Sequence, residues 1–211
     1  AGGYVSEARF SELRGVKVFN LCKSYRYQSL GYYVSLLAEA RGHRPLPSIT
    51  TIQDLKSPTM VRLAEDDLEE LIQESLSHLG ADEFTLSIYF GRNLAKRYDR
   101  LSLKLFNLFP APLLRAQFTR DADGWCLHGI APIPVGDVPQ EHRAFLLDVA
   151  QEYFAGKRRS SGPKHQSRYD LAILYNPDEE AKPSNNGAIE KFIRAAKELG
   201  IDAEIIGRDD Y

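Results

Sequence analysis

NLCKSYRYQSLGYYVSLLAEARGHRPLP, residues 20–47, is the stretch on which the fold turns. It follows VKVFN (16–20), a β-type run closed by Asn20. Its first part, up to Gly31, carries a thiol, Lys23, Arg26, two tyrosines and two serines, and it then becomes apolar. The spacing predicts a helix from Ser29 to about Arg41, with Leu30, Tyr33, Val34 and Leu37 as one stripe and Tyr32, Leu36 and Ala40 as another. Polar positions fall on a narrow edge near Ser35 and Glu39, so the helix is expected to be buried on more than one side. Gly42 followed by His43-Arg44-Pro45 ends it. Strand, loop, helix and glycine in this order read as the first half of a βαβ unit.

Downstream, the chain takes on α+β character. AEDDLEELIQESLSHLG (64–80) has Leu68, Leu71, Ile72, Leu76 and Leu79 at helical spacing, with acids expected in its first turn and Gly80 as its end. FTLSIYF (84–90) alternates apolar and polar residues as a half-buried strand does. Leu94, Tyr98, Leu101, Leu105 and Leu108 mark a helix that stops at Pro110 and Pro112. PLLRAQF and WCLHGIA flank TRDADG, whose Asp123-Gly124 is a hairpin signal. A further helix is expected from Pro139 to about Phe154. The stretch 155–168, AGKRRSSGPKHQSR, has almost no large apolar side chain and reads as a linker that trypsin would find first. Beyond it YDLAILYNP, a polar loop, a helix with Ile189, Phe192, Ile193 and Ala196, Gly200 and DAEII make a second βαβ start. The expected fold class is therefore α/β with α+β character: an N-terminal βα unit, central antiparallel strands and helices, then a second βαβ start.

Bulk properties narrow the function. The chain has 211 residues, of which 43% are hydrophobic, ordinary for a protein that buries a core. With 27 basic and 29 acidic side chains its formal charge is −2, which gives no long-range attraction to nucleic acid or an anionic membrane. No apolar run approaches the ~18 residues that span a bilayer. Only two cysteines occur, Cys22 and Cys126, in no metal-ligand spacing, and a reduced, cytoplasmic setting is expected. The chain starts AGGYV without Met and stops at Tyr211 after a strand candidate, so it is expected to be a piece of a longer polypeptide.

The chemistry-bearing candidates are few. Lys23, Ser24, Tyr25, Arg26, Tyr27 and Ser29 would stand at the carboxyl end of a strand and the amino end of a helix. There the free N–H groups and the helix dipole attract anions, and an arginine adds a two-pronged donor. The plainer reading is that Ser29 caps the helix while the tyrosines pack on the sheet. No GxGxxG, GxxxxGK[ST] or GxSxG is present, so nucleotide-binding and one serine-hydrolase reading lose support. The five histidines form no HExxH spacing; Cys126 and His128 share a strand face, where ordinary packing outweighs metal or nucleophile chemistry without a third ligand. The basic residues at 157–159, with Lys164 and Arg168, read as a solvated linker rather than a nucleic-acid patch. Acidic residues at 65–70 and 178–180 do not form a paired acid/base site.

The wording of the sequence says more than its periodicity. NLCKSYRYQSLGYYVSLLAEARGHRPLPSITTIQDL, continued by PLLRAQF and GWCLHGIAPI, resembles the N-terminal domain fused to RimK-like ATP-grasp ligases. LAILYNPDEEAKPSNNGAIEKFIRAAKELGIDAEII is similar to the opening of the pre-ATP-grasp segment of the same proteins. The resemblance implies an accessory domain over 1–155, a linker over 156–168 and a truncated pre-ATP-grasp start over 169–211. It implies a parent enzyme that uses ATP and Mg²⁺ to join a carboxylate to an amine through an acyl phosphate. Its partner would be a C-terminal ATP-grasp domain of the same polypeptide, following Tyr211. No catalytic residue carries over, no cofactor is expected in this piece, and no ATP turnover is expected of it alone. An anionic small-molecule or peptide substrate positioned by the 23–29 loop is one expectation. A free-standing small-molecule or protein interaction module without catalysis is the other.

Overall fold

A computed structural model describes residues 1–155, 169–175, 186–199 and 201–207. The expected 156–168 linker and the 178–180 acids lie outside the described residues. The fold is α/β, with helices mixed among small sheets. The chain divides into two compact units, Ala1–Arg158 and Arg159–Tyr211.

The first unit opens with a short helix α1 (Gly2–Ser6) and then strand β1 (Lys17–Phe19). Helix α2 (Leu30–Ala40) leads to strand β2 (Arg44–Leu46), parallel to β1 with Val18 opposite Pro45. The βαβ unit is thus complete within some thirty residues; β2 hides in the sequence because Pro45 looks like a stop rather than a strand. The bond between Leu46 and Pro47 is cis.

Burial on α2 keeps Val34 from the expected stripe but otherwise moves to smaller residues. Gly31, Val34, Ser35 and Ala38 face inward, while Leu30, Tyr33 and Leu36 are exposed at 47%, 40% and 39%. The helix is not buried on two sides. Its small residues allow close approach to the strands, and Ser35, expected at the solvent edge, is fully buried because its hydroxyl donates to the Pro47 carbonyl at 2.7 Å.

Next come α3 (Ile49–Asp54) and α4 (Pro58–Leu76). The latter starts two turns earlier than the leucine spacing indicates, with Ser57 accepting the Met60 N–H and Pro58 at the first helical position. The acids at 65–70 therefore sit in the middle of α4, not at its N-terminal turn, and dipole complementation does not account for them. One of them, Glu65, accepts the Leu127 N–H at 3.2 Å.

Strands β3 (Glu83–Tyr89), β4 (Leu113–Arg120) and β5 (Trp125–Pro132) form an antiparallel sheet in sequence order, with helix α5 (Asp99–Leu108) between the first two strands. The expected helical reading from Leu94 becomes a 3₁₀ turn at Lys96–Tyr98 that runs into α5. In the 121–124 hairpin, the Asp121 carboxylate accepts the N–H groups of Asp123 and Gly124. A bulge at Gln117/Phe118 leaves His128 outside the ladder.

Leu71, Ile72 and Leu76 of α4, Leu101 and Leu105 of α5, and Leu86, Ile88, Leu114 and Phe118 of the sheet make the main core. A second cluster forms where α6 (Arg143–Phe154) lies near the end of β3, and it buries Tyr89 with Phe90, Leu113 and Val149. Alternation alone would leave Tyr89 in water.

The second unit contains strand β6 (Tyr169–Tyr175), helix α7 (Asn186–Glu198) and strand β7 (Ile201–Gly207), the two strands parallel with Leu171 opposite Ala203. This is the second βαβ start expected from the repeat of the pattern. No helix among the described residues is long and apolar enough to cross a membrane.

Candidate functional site

Asn20 directly follows β1 as one of the few polar side chains that are almost fully buried. Its amide nitrogen donates to the Gly31 carbonyl at 2.7 Å and to Ser35 Oγ at 2.9 Å, and its amide oxygen accepts the Cys22 N–H at 3.3 Å. Its main-chain N–H donates to Leu46 at 2.9 Å. One side chain thereby ties the end of β1, the first turn of α2 and, through Ser35, the Pro47 carbonyl after β2.

The loop from Lys23 to Ser29 closes over that knot. Ser29 is the N-cap of α2: its Oγ accepts the Tyr32 N–H at 3.3 Å and donates to the Ser24 carbonyl at 2.9 Å. The Ser24 hydroxyl accepts the Arg26 N–H, the Ser29 N–H donates to the Arg26 carbonyl, and Gln28 takes a left-handed φ of 63°. A Cβ at Gly31 would collide with the Ser24 carbonyl and stand 2.8 Å from Cys22 Cβ, so only glycine lets the loop lie this close.

The six expected site residues separate into two groups. Tyr25 is buried, and its hydroxyl donates to the Asn20 carbonyl; burial, then the neighbouring Cys22, pushes its pKa well above the ordinary tyrosine value. It belongs to the architecture, as do Ser24 and Ser29. Lys23, Arg26 and Tyr27 face solvent. Tyr27 stands edge-on to Tyr32 with ring centroids 5.3 Å apart.

Lys56, in the turn between α3 and α4, joins this surface. Its Nζ donates to the Tyr25 carbonyl at 3.2 Å, which brings a third cation to this loop. Nothing in the sequence around Lys56 signals this, because the contact spans thirty-one residues. The Cys22 thiol is half-buried and burial raises its pKa, so it does not stand ready as a thiolate.

A family model described as RimK-like ATPgrasp N-terminal domain matches residues 1–149. The chain belongs to this family. No curated protein and no solved structure matches it. The match runs over the βαβ unit, its loop and the antiparallel sheet, so the Asn20 knot and the cations around it lie wholly inside the RimK-like N-terminal domain.

Among the described residues no three His, Cys, Asp or Glu side chains gather as a metal site. The β1–α2 loop has no glycine run. Cys126 and His128 form no centre either: the thiol donates to Asp121 Oδ2 at 3.5 Å, and His128 stands exposed at the bulge.

Proposed function

We propose that this domain is the non-catalytic N-terminal region of an ATP-dependent carboxylate–amine ligase, where it positions the substrate by holding one of its anionic groups. The observation that carries the reading is the placement of Lys23, Arg26 and Lys56 at the carboxyl end of the parallel β1–β2 pair, around a loop anchored by buried hydrogen bonds. The Arg26 guanidinium makes no ion pair among the described residues, and its planar fork suits a carboxylate or a phosphate. Tyr27, presented beside it, supplies an aromatic wall. In α/β sheets ligands favour this end of the strands.

Under this reading ATP and Mg²⁺ act in an ATP-grasp domain of the same polypeptide, where they supply the activation of the carboxylate. The residues of the present chain bind and orient; they transfer no proton and attack no carbonyl. A second reading, a protein interaction module, draws on the exposed Leu30, Tyr33 and Leu36 stripe of α2.

The test uses the polypeptide that carries both this chain and the ATP-grasp domain. Arg26→Ala should lower kcat/KM for the anionic substrate by roughly tenfold, the worth of one charge-assisted hydrogen bond, and leave the KM for ATP unchanged. Equal kcat/KM in the two proteins contradicts substrate holding and favours the interaction module.

A further inference from the structure

We propose that the cleft between α4 and α5 is a second anion site, built to take one phosphate group. It rests on residues remote in sequence from the β1–α2 loop and stands independently of the function proposed above. Leu71, Glu74 and Ser75 share one face at the end of α4, and His78 continues it from the turn that follows. Arg97 and Arg100 face that stripe from the 3₁₀ turn and from α5, and together these residues, of which Glu74, His78, Arg97 and Arg100 are exposed, line a solvent-open cleft of about 230 Å³.

The charges in the cleft do not cancel. Glu74 is its one carboxylate, and Arg100 Nη1 already meets it at 3.0 Å. Arg97 has no carboxylate partner among the described residues; its guanidinium rests 5.0 Å from the centre of the Tyr98 ring. His78 stacks on the same ring at 24°, with Nε2 3.3 Å from the Tyr98 hydroxyl, which leaves Nδ1 for a ligand. Tyr98 is buried in the main core, so a fixed wall holds both Arg97 and His78. The helix dipoles nearly offset here, because the C-terminal end of α4 and the N-terminal end of α5 both border the cleft. The positive balance therefore comes from side chains.

Size and geometry select the ligand. Pockets for whole drug-sized ligands span ~300–1,000 Å³, so this cleft takes a single headgroup. Donor side chains line it from α4 (Ser75), the turn after α4 (His78), the 3₁₀ turn (Arg97) and α5 (Arg100). A tetrahedral oxyanion can accept from donors in several directions at once, whereas the acceptor sites of a carboxylate lie in one plane.

Inorganic phosphate, and in parallel acetate, should be titrated into the protein while backbone amide signals are followed by NMR. Phosphate is expected to shift the amides of residues 75–79 and 96–100 saturably, with acetate much weaker. Arg97→Gln should weaken phosphate binding roughly tenfold, the equivalent of ~1.4 kcal/mol, with the melting temperature unchanged. Arg97→Lys, which keeps the charge and loses the fork, should recover part of the loss, and Arg26→Ala should leave these shifts intact. Glycerol 3-phosphate compared with a phosphoserine peptide distinguishes a metabolite from a protein as the source of the phosphate. The proposal is overturned if phosphate leaves these amides unmoved, if Arg97→Gln binds as tightly as the parent, or if acetate binds as well as phosphate.

Discussion

The side-chain amide of Asn20 donates to the Gly31 carbonyl at 2.7 Å and thereby fixes the end of β1 to the first turn of α2. The same nitrogen serves Ser35 Oγ, which passes on to the Pro47 carbonyl. Asn20→Ala leaves these buried groups without a partner. A loss of about 1–3 kcal/mol in urea unfolding is expected, the cost of orphaned buried polar groups. A loss within about 0.5 kcal/mol, the range of ordinary surface changes, would mean that the knot does not hold the loop.

Gly31→Ala separates helix propensity from packing. In an unobstructed helix the change is favourable by about 1 kcal/mol. Here the new methyl group meets the Ser24 carbonyl, Cys22 Cβ at 2.8 Å and Tyr25 Cδ1 at 3.0 Å. The variant should be destabilised by about 1–3 kcal/mol, as overpacked sites are. A rise in melting temperature would show that the loop does not lie on the helix start.

The long, strongly patterned elements are those the sequence makes legible. The strand at 84–90, the Asp123-Gly124 hairpin and both βαβ starts appear where their periods put them, with Tyr89 the one exception to the strand's alternation. The α2 helix itself was legible, but its orientation was not. Counting hydrophobicity selects Leu30, Tyr33, Val34 and Leu37, with Tyr32, Leu36 and Ala40 as a second stripe; of these Val34 is buried, whereas Gly31, Ser35 and Ala38 join it inside because small residues permit close approach and Ser35 finds hydrogen bonds there. The loop residues were legible as a group. Their division into architecture (Ser24, Tyr25, Ser29) and exposed cations (Lys23, Arg26) was not, since it depends on where the Tyr25 hydroxyl finds an acceptor. Lys56 was invisible for the same reason that most long-range contacts are: local pattern contains no information about it.

Tyr25 gives the fold an alkaline limit. Its folded-state pKa is raised, chiefly by burial, so its contribution is fully present below the ordinary tyrosine value of ~10 and is lost as pH rises toward the folded value. Tyr89 is raised as well, again mainly by burial, and shares in the loss. Tyr25→Phe should cost about 0.5–1.5 kcal/mol at neutral pH, through the lost bond to Asn20, and should flatten the decline in melting temperature above pH 10. An alkaline decline as steep as the parent's would remove Tyr25 from this account.

Cys126 should be slow to alkylate. Burial, then the hydrogen bond to Asp121, pushes its pKa up to about 11, so little thiolate exists near neutrality. Asp121→Asn keeps an oxygen for the Asp123 and Gly124 N–H groups while removing the negative charge. Iodoacetamide labelling of Cys126 should then quicken several-fold at mildly alkaline pH. An unchanged rate would assign the slow chemistry to burial alone.

The central claim is that Arg26 and Lys56 stand at the end of β1–β2 to hold an anion, not to hold the fold. Glutamate and sulfate titrations of the parent, Arg26→Ala and Lys56→Ala proteins, each with a thermal melt, test it most directly. The account predicts saturable binding that weakens by roughly tenfold or more in Arg26→Ala, with stability changed by no more than about 0.5 kcal/mol. Lower stability in Arg26→Ala, with anion binding absent or unaltered, would contradict it and return the loop to plain architecture.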